Sequence, residues 1–269
     1  MNDAAHFEAI LTQLGRLLID LKLTGVDVVL IGGQVISIEA MAAGRPGVIA
    51  VETPTGVVVP RGYSMEPDLL FDVEDAGARG EAIVDALRAN GFSRIRPYRW
   101  LKTLDTGDML VDLFVPPDLD AAQNPGGFTV LPRGDLALSR ATARHLRVGT
   151  SAIDIKVPDP VGFLAMKIEA KERLRPQQTK DSFDIYAYVA LKGPSTVGKA
   201  LRTSREGDTL RAALRRLFGE PKAPGVSDVL SYAGTLETTE KELLARAVVD
   251  LFDEVNRISA ATSGTVSER

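Results

Sequence analysis

The stretch R-G-Y-S-M-E-P-D-L-L-F-D at 61–72 places a hydroxyl and two carboxylates at alternate positions ahead of an apolar run. Side chains two residues apart in a β-strand point to the same face, so the spacing predicts that Ser64, Glu66 and Asp68 share one face. Two carboxylates on one face repel each other unless a cation joins them.

A further acid lies within V-D-L-F-V, in the segment 109–115 that reads as a strong strand. A carboxylate between Val111 and Leu113 is costly to bury alone, so Asp112 either faces water or meets a cation. Because two acids are expected on a neighbouring strand, one Mg²⁺ ion that also binds substrate phosphates would explain all three. Alternating polar residues are also common on the solvated face of a strand.

A glycine pair, Gly32-Gly33, follows the short apolar run V-D-V-V-L-I at 26–31. Glycine in a strand-to-helix turn lets backbone N–H groups approach a phosphate chain, next to the positive end of the following helix. Turns also use glycine for purely structural reasons. In order along the chain, the glycines and the acids together favour phosphoryl or nucleotidyl transfer.

Two predicted helices near the middle of the chain carry further polar residues. Lys167 lies within the apolar face of the first helix, where a surface lysine is not expected. Asp181 and Asp184 lie three residues apart, on one side of the second helix. Two interpretations stay open: an ion pair that joins the helices, or a lysine that reaches a nucleotide phosphate, with an acid completing the site.

The elements that must position these residues follow from periodicity and from turn residues. We expect an α+β fold, with a mixed sheet over 1–158 and a helical domain over 159–269. The predicted strands are 26–31, 68–73, 92–96, 98–104, 109–115 and 153–157, with a turn at Gly107-Asp108, a hairpin or extended loop over 44–60 and a loop at Pro125-Gly126-Gly127. The predicted helices are 4–23, 34–43, 76–90, 160–173, 179–191, 195–204, 207–217, 224–234 and 237–259, and the last ten residues should fray.

Composition limits the chemistry that is available. The 269 residues include no cysteine and two histidines, so catalysis must use carboxylates, lysine, arginine and hydroxyls. The net charge of −4 argues against a protein that coats nucleic acid, although 133–147 and 202–216 are locally rich in arginine. No membrane-spanning run or signal peptide is visible, so we expect a soluble, cytoplasmic protein with no membrane partner.

The order of these motifs resembles a known family. The segments I-G-G-Q, R-G-Y-S-M-E-P-D-L, L-V-D-L-F, L-A-M-K-I-E-A and R-L-R-P-Q-Q-T-K-D-S-F-D-I-Y are similar to the nucleotidyltransferase-like AbiEii/AbiGii toxin family, within the DNA-polymerase-beta-like nucleotidyltransferase superfamily. The resemblance covers about residues 30–190. It implies transfer of a nucleoside monophosphate from an NTP to an acceptor hydroxyl, for example of tRNA or another RNA. It also implies a toxin–antitoxin system with a cognate antitoxin protein as partner.

The resemblance also implies a role for each matching position. The catalytic residues would be Asp68, Asp112, Lys167 and Asp181. The residues that contact the NTP would be Gly32, Gly33, Ser64, Lys167 and Asp184. The ligands of Mg²⁺ would be Glu66, Asp68 and Asp112. The helical domain would bring Lys167, Asp181 and Asp184 to the cleft. Glu66 departs from the family's aspartate, and Pro67 follows it where a strand needs an N–H.

Three alternatives remain at this point. One is a small-molecule adenylyltransferase of the antibiotic-modifying kind, which would have the same first domain and a different acceptor. Another is a catalytically inert relative that binds only a nucleotide or a protein, which the Glu66-Pro67 pair favours. A purely structural interaction protein is least favoured, because it leaves Asp112 and Lys167 unexplained.

Overall fold

The computed structural model describes residues 3–117 and 127–260. The chain divides into two compact units, one formed by 1–50 and 60–169 and the other by 51–59 and 170–269. The predicted α+β class with a mixed sheet is confirmed. The predicted domain boundary at 158 stays a prediction. The predicted loop at Pro125-Gly126 and the fraying beyond Ala260 lie outside the described residues.

The first unit is built on a mixed sheet flanked by helices. In chain order the strands are β1 (Val28–Ile31), β2 (Ile49–Glu52), β3 (Val58–Gly62), β4 (Asp68–Phe71), β5 (Ser93–Arg94), β6 (Arg99–Leu104), β7 (Gly107–Val115), β8 (Thr129–Val130), β9 (Ala141–Val148) and β10 (Ser151–Pro158). The eight-stranded sheet has the order β5-β6-β7-β4-β1-β10-β9, with β8 paired to β7. Strands β2 and β3 form a separate two-stranded sheet, as the hairpin prediction for 44–60 requires.

Helices cover both faces of the eight-stranded sheet. Those that precede or follow its strands are α1 (Asp3–Leu23), α2 (Gln34–Ala42), α3 (Val73–Ala89), α4 (Gly134–Ser139) and α5 (Pro160–Glu169). On one face, a buried cluster joins strand residues to α4 and α5: Val29, Ile31, Leu70, Ala137 and Met166. On the other face, Gly15 of α1 packs closely against Ile153. The central strands of the sheet are therefore largely buried between helices.

The start and end of α3 follow from local polar contacts. Asp72 caps the helix, with its carboxylate accepting a 2.8 Å hydrogen bond from the backbone N–H of Glu74, so the helix begins three residues before the predicted position. Gly91 closes it with φ 79°, and the N–H of Phe92 donates to the carbonyl of Leu87. The predicted C-terminal signal at Asn90-Gly91 is confirmed.

Two local predictions are wrong in a way that matters for the site. Ser64 and Glu66 lie in a loop between β3 and β4, not on a strand with Asp68. Pro67 explains the difference, because proline has no N–H to give to a sheet ladder, so the strand can begin only after it.

The turn between β6 and β7 lies at Asp105-Thr106, two residues before the predicted turn, and Leu104 pairs with Gly107.

The part of the second unit that follows residue 169 is helical. A π-helical turn at Ala170–Leu174 is followed by α6 (Thr179–Lys192), α7 (Pro194–Thr203), α8 (Gly207–Phe218), α9 (Pro224–Tyr232) and α10 (Thr238–Ala260). These helices confirm the predicted helical stretch. A buried polar contact ties α6 to α9, since Asp228 accepts hydrogen-bonded contacts of 2.6 Å from Ser182 and 2.5 Å from Lys171. No helix within 3–117 and 127–260 has both the length and the apolar character needed to cross a bilayer.

Candidate active site at the acidic edge of the sheet

Asp68 and Asp112 lie side by side on neighbouring strands, Asp68 at the start of β4 and Asp112 in the middle of β7. Asp68 is the first residue of β4 and pairs in parallel register with Asp112 of β7, while its other neighbour is Ile31 at the end of β1. Residues paired across neighbouring strands, about 4.8 Å apart, project from the same face. With Glu66 in the preceding loop, they form what we call the acidic edge: Glu66, Asp68 and Asp112.

An arginine pairs with two acids of the acidic edge. Arg99 lies opposite Asp112 on β6 and donates two hydrogen bonds to it, 2.7 Å from Nε to Oδ1 and 2.6 Å from Nη2 to Oδ2. The same Nη2 lies 3.6 Å from Oε2 of Glu66. The hydrogen bond to Asp112 raises the pKa of Arg99 above its ordinary value, against the opposing effect of burial. Two of the three acids thus share one guanidinium in a fork geometry that lysine cannot provide.

The turn after β1 packs directly against the acidic edge. Gly32 has φ 75°, a left-handed conformation that favours glycine, and a Cβ there would overlap Oδ2 of Asp68. Gly33 has ordinary backbone angles, but a Cβ on it would overlap the guanidinium of Arg61 and lie 2.8 Å from Oγ of Ser64. The glycine pair therefore lets side chains approach the start of α2 closely. Its predicted contact with a triphosphate stays a prediction.

A buried glutamine fixes the loop that carries Ser64 and Glu66. Gln34, the first residue of α2, is fully buried and donates a 3.0 Å hydrogen bond from Nε2 to the backbone carbonyl of Ser64. Ser64 itself is buried, whereas the side chain of Glu66 is 57 % exposed. One end of the loop is thus held at the helix start, while Glu66 projects towards water.

This arrangement does not fit a magnesium site. Both oxygens of Asp112 accept hydrogen bonds from Arg99, and a divalent ion at the same oxygens would meet the guanidinium charge directly. Among residues 3–117 and 127–260, no group of three or more His, Asp or Glu side chains is placed to hold a metal ion. The predicted Mg²⁺ site at Glu66, Asp68 and Asp112 stays a prediction, and it requires Arg99 to leave Asp112.

Lys167 and the α6 aspartates are all buried, in different units. Lys167 is 7 % exposed on α5 of the first unit, next to Met166 of the core cluster. In the second unit, Asp184 is fully buried, and Asp181 forms a 3.0 Å ion pair with the half-exposed Arg175. The ion-pair interpretation allowed either an Asp–Lys or an Asp–Arg pair, and the contact between Asp181 and Arg175 is a pair of the second kind. The shared cleft and the roles of these three residues stay predictions.

Arg99 and Arg61 are the residues that the sequence analysis missed. The signal for Arg99 lay in the hairpin register: a turn at Gly107-Asp108 would place Asp112 opposite Thr103, whereas the observed turn places it opposite Arg99. Arg61 gave no such signal, because its position depends on the irregular segment between β3 and β4.

Comparison with known proteins adds one structural similarity. A crystal structure of an antigenic nucleotidyltransferase-like protein from Paracoccidioides brasiliensis is similar to this chain, with a TM-score of 0.46 and 16 % sequence identity over 85 % of this chain and 93 % of that one. The chain matches no protein-family model and no curated protein. At this TM-score and identity, the similarity assigns neither an activity nor site residues to the chain.

Proposed function

We propose that this chain is a nucleotidyltransferase that uses the acidic edge to transfer a nucleoside monophosphate from an NTP to an acceptor hydroxyl. The observation that supports the proposal most strongly is the register of Asp68 and Asp112 on adjacent strands, beside a glycine turn that opens a helix. The helix N-terminus suits negatively charged phosphates, and a carboxylate beside it can accept the proton of the acceptor hydroxyl.

In the proposed reaction, the acceptor oxygen forms a bond to the α-phosphorus and the bond to the bridging oxygen of pyrophosphate breaks. Pyrophosphate leaves with the electron pair of that bond, and the acceptor proton passes to a carboxylate. Asp112 is the proposed base, because it is a carboxylate held in register beside Asp68 at the acidic edge, where the acceptor hydroxyl would have to lie. Positioning and charge supply most of the catalysis in such transfers.

The finer parts of the proposal come from the resemblance to the AbiEii/AbiGii family. They are an RNA acceptor such as tRNA, a Mg²⁺ requirement, a toxin–antitoxin partnership in the cytoplasm, and site roles for Lys167, Asp181 and Asp184. Arg202, Arg205 and Arg215 of the second unit are exposed cations of the kind that bind RNA phosphates. A small-molecule acceptor is the alternative within the same chemistry.

One observation favours a second candidate, the inert relative that only binds a nucleotide. Arg99 occupies both oxygens of Asp112 and lies near Glu66, so the acids of this edge are already partly neutralised. A protein of this kind would bind NTP without turning it over.

The test is incubation with each α-labelled NTP, Mg²⁺ and total RNA, comparing wild type with Asp68→Asn and Lys167→Ala. We expect label in RNA with wild type and a loss of at least about a hundredfold with Asp68→Asn, which keeps the shape and removes the charge. Asp108→Asn is the matched control, because Asp108 is exposed on the same strand as Asp112 and should leave transfer unchanged.

The contrary results are equally distinct. If calorimetry detects bound NTP but no label reaches RNA or a panel of small hydroxyl acceptors, the chain is the inert relative. Equal labelling by wild type and Asp68→Asn would place the reaction elsewhere in the molecule.

A further inference from the structure

We propose that the groove between helix α1 and the β6–β7 hairpin binds a compact anion with a phosphate group, held between Arg16 and Lys102. The groove lies wholly within the first unit and has a volume of about 510 Å³, a size that suits a small molecule. Lys102 lies three residues from Arg99 on β6, so the two side chains point to opposite faces of the sheet. The proposed anion site is therefore separate from the acidic edge and goes beyond the proposed nucleotidyl transfer.

Two positive charges meet in this groove without an acid that neutralises them. Burial lowers the pKa of Lys102, and the charge of Arg16 beside it lowers that pKa further. Within 3–117 and 127–260, Arg16 has no ion pair or hydrogen bond, and Asp20, one turn further along α1, accepts a 2.7 Å hydrogen bond from Asn90. Two like charges at close range repel each other, and an anion between them would turn that repulsion into attraction.

The ammonium of Lys102 is held in place by the end of helix α3. Its Nζ donates a 2.7 Å hydrogen bond to the carbonyl of Asn90, the C-terminal cap of α3, where the helix dipole favours a cation. The same Nζ lies 5.8 Å from the centre of the Phe92 ring, within the range of a cation–π contact. An ammonium has three donors, and the bond to Asn90 uses one of them. The cation is thus positioned before a ligand arrives and has donors left for it.

The charges along the groove favour a compact anion that bears two negative charges. An arginine presents a planar fork to phosphate oxygens and a lysine adds a point charge, so the pair matches a phosphate dianion. Glu8 and Asp105 also line the groove. Glu8 lies about 12 Å from Arg16 along α1, and Asp105 about 10 Å from Lys102 along the hairpin. These acids would repel a polyanion that extends along the groove, such as a nucleic acid strand, and leave a short ligand unaffected.

Isothermal titration calorimetry at constant ionic strength tests the inference, with inorganic phosphate and with glycerol 3-phosphate as probes. We expect wild type to bind, and Arg16→Met and Lys102→Met each to weaken the affinity about tenfold or more, because each removes charge-assisted hydrogen bonds. The matched control Lys22→Met removes an exposed lysine of α1 that does not line the groove, and should leave the affinity at the wild-type value. Binding of both probes would assign the site to a phosphate ester, and binding of inorganic phosphate alone to the free ion.

A circular dichroism melt establishes that each variant is folded. Arg16 is exposed, so Arg16→Met removes no packed side chain and decides the test if Lys102→Met does not fold. The inference is overturned if wild type binds neither probe, or if folded Arg16→Met binds as tightly as wild type. An equal loss in Lys22→Met would also overturn it, since overall charge would then explain the binding. Loss of nucleotidyl transfer with unchanged anion binding would bear on the proposed function alone.

Discussion

Two arginine–carboxylate pairs of the first unit have nearly the same geometry. Arg144 donates hydrogen bonds of 3.0 and 2.7 Å to the two oxygens of Glu39, and Arg99 donates bonds of 2.7 and 2.6 Å to the two oxygens of Asp112. The carboxylate is largely buried in both, with 4 % of the Glu39 side chain and 10 % of the Asp112 side chain exposed. Distance and burial alone do not distinguish them.

The two pairs differ in what they connect. The pair of Arg144 and Glu39 joins helix α2 to strand β9, which lie far apart in the sequence. Arg99 and Asp112 lie on neighbouring strands that backbone hydrogen bonds already join, and further acids lie beside them. An ion pair between elements that are otherwise separate contributes to the stability of the fold. An ion pair between strands that are already hydrogen-bonded contributes less, and further acids beside it indicate a functional site.

The largest effect should follow from removing the pair that joins elements. Arg144→Met leaves the carboxylate of Glu39 without its bidentate partner in a buried position, and we expect the free energy of unfolding to fall by about 2 to 3 kcal/mol. The fluorescence of Trp100, the single tryptophan, during urea unfolding reports on the first unit. Arg88→Met, which breaks an exposed pair, should change the value by less than about 0.5 kcal/mol. A loss for Arg144→Met no greater than that control would remove the distinction between the two pairs.

A smaller effect should come from the turn beneath the acidic edge. Gly32→Ala meets both an unfavourable φ of 75° and the carboxylate of Asp68, for an expected loss of about 2 kcal/mol. Gly44 has φ 74° with open space around it, so Gly44→Ala carries the backbone strain alone and should cost about 1 kcal/mol. The same Trp100 fluorescence measures both variants. Equal losses would mean that Asp68 moves aside at no cost and is not held by the turn.

The smallest loss should follow from removing the arginine at the acidic edge. Because 28 % of the Arg99 side chain is exposed, water already screens part of its pair with Asp112, and Arg99→Met should lower the free energy of unfolding by about 1 kcal/mol. Urea unfolding followed by the fluorescence of Trp100 measures the loss, and a loss as large as that of Arg144→Met would show that the two pairs stabilise the fold equally.

Periodicity predicted most elements of the fold because their patterns are local. The heptad-like leucines of α1 and the apolar run of β7 both predicted their elements to within two residues. The short helix α4 and strand β9 were missed, since Arg140, Arg144 and Arg147 obscure the alternation of a strand. Strand β9 is stabilised by pairing along its whole length with β10, a contact that no local pattern carries.

The site was harder to predict than the fold because it depends on register. Asp68 and Asp112 are neighbours because their two strands are adjacent, and the sequence predicted that these strands would be adjacent. Arg99 pairs with Asp112 because of the position of a two-residue turn. If that turn lay two residues later, Thr103 would lie opposite Asp112 in place of Arg99. Propensity locates turns only approximately, so charge partners across a hairpin are poorly determined by sequence.

The turn at Asp105-Thr106 also has an evolutionary consequence. Consider the insertion of one residue between Trp100 and Leu104 while the turn and β7 stay in place. Arg99 would then move one position past Asp112, and its side chain would lie on the opposite face of the sheet. The acids would remain where they are. Descendants of this chain could therefore gain or lose the counter-ion through a single codon insertion in a surface hairpin, without substitution of any carboxylate.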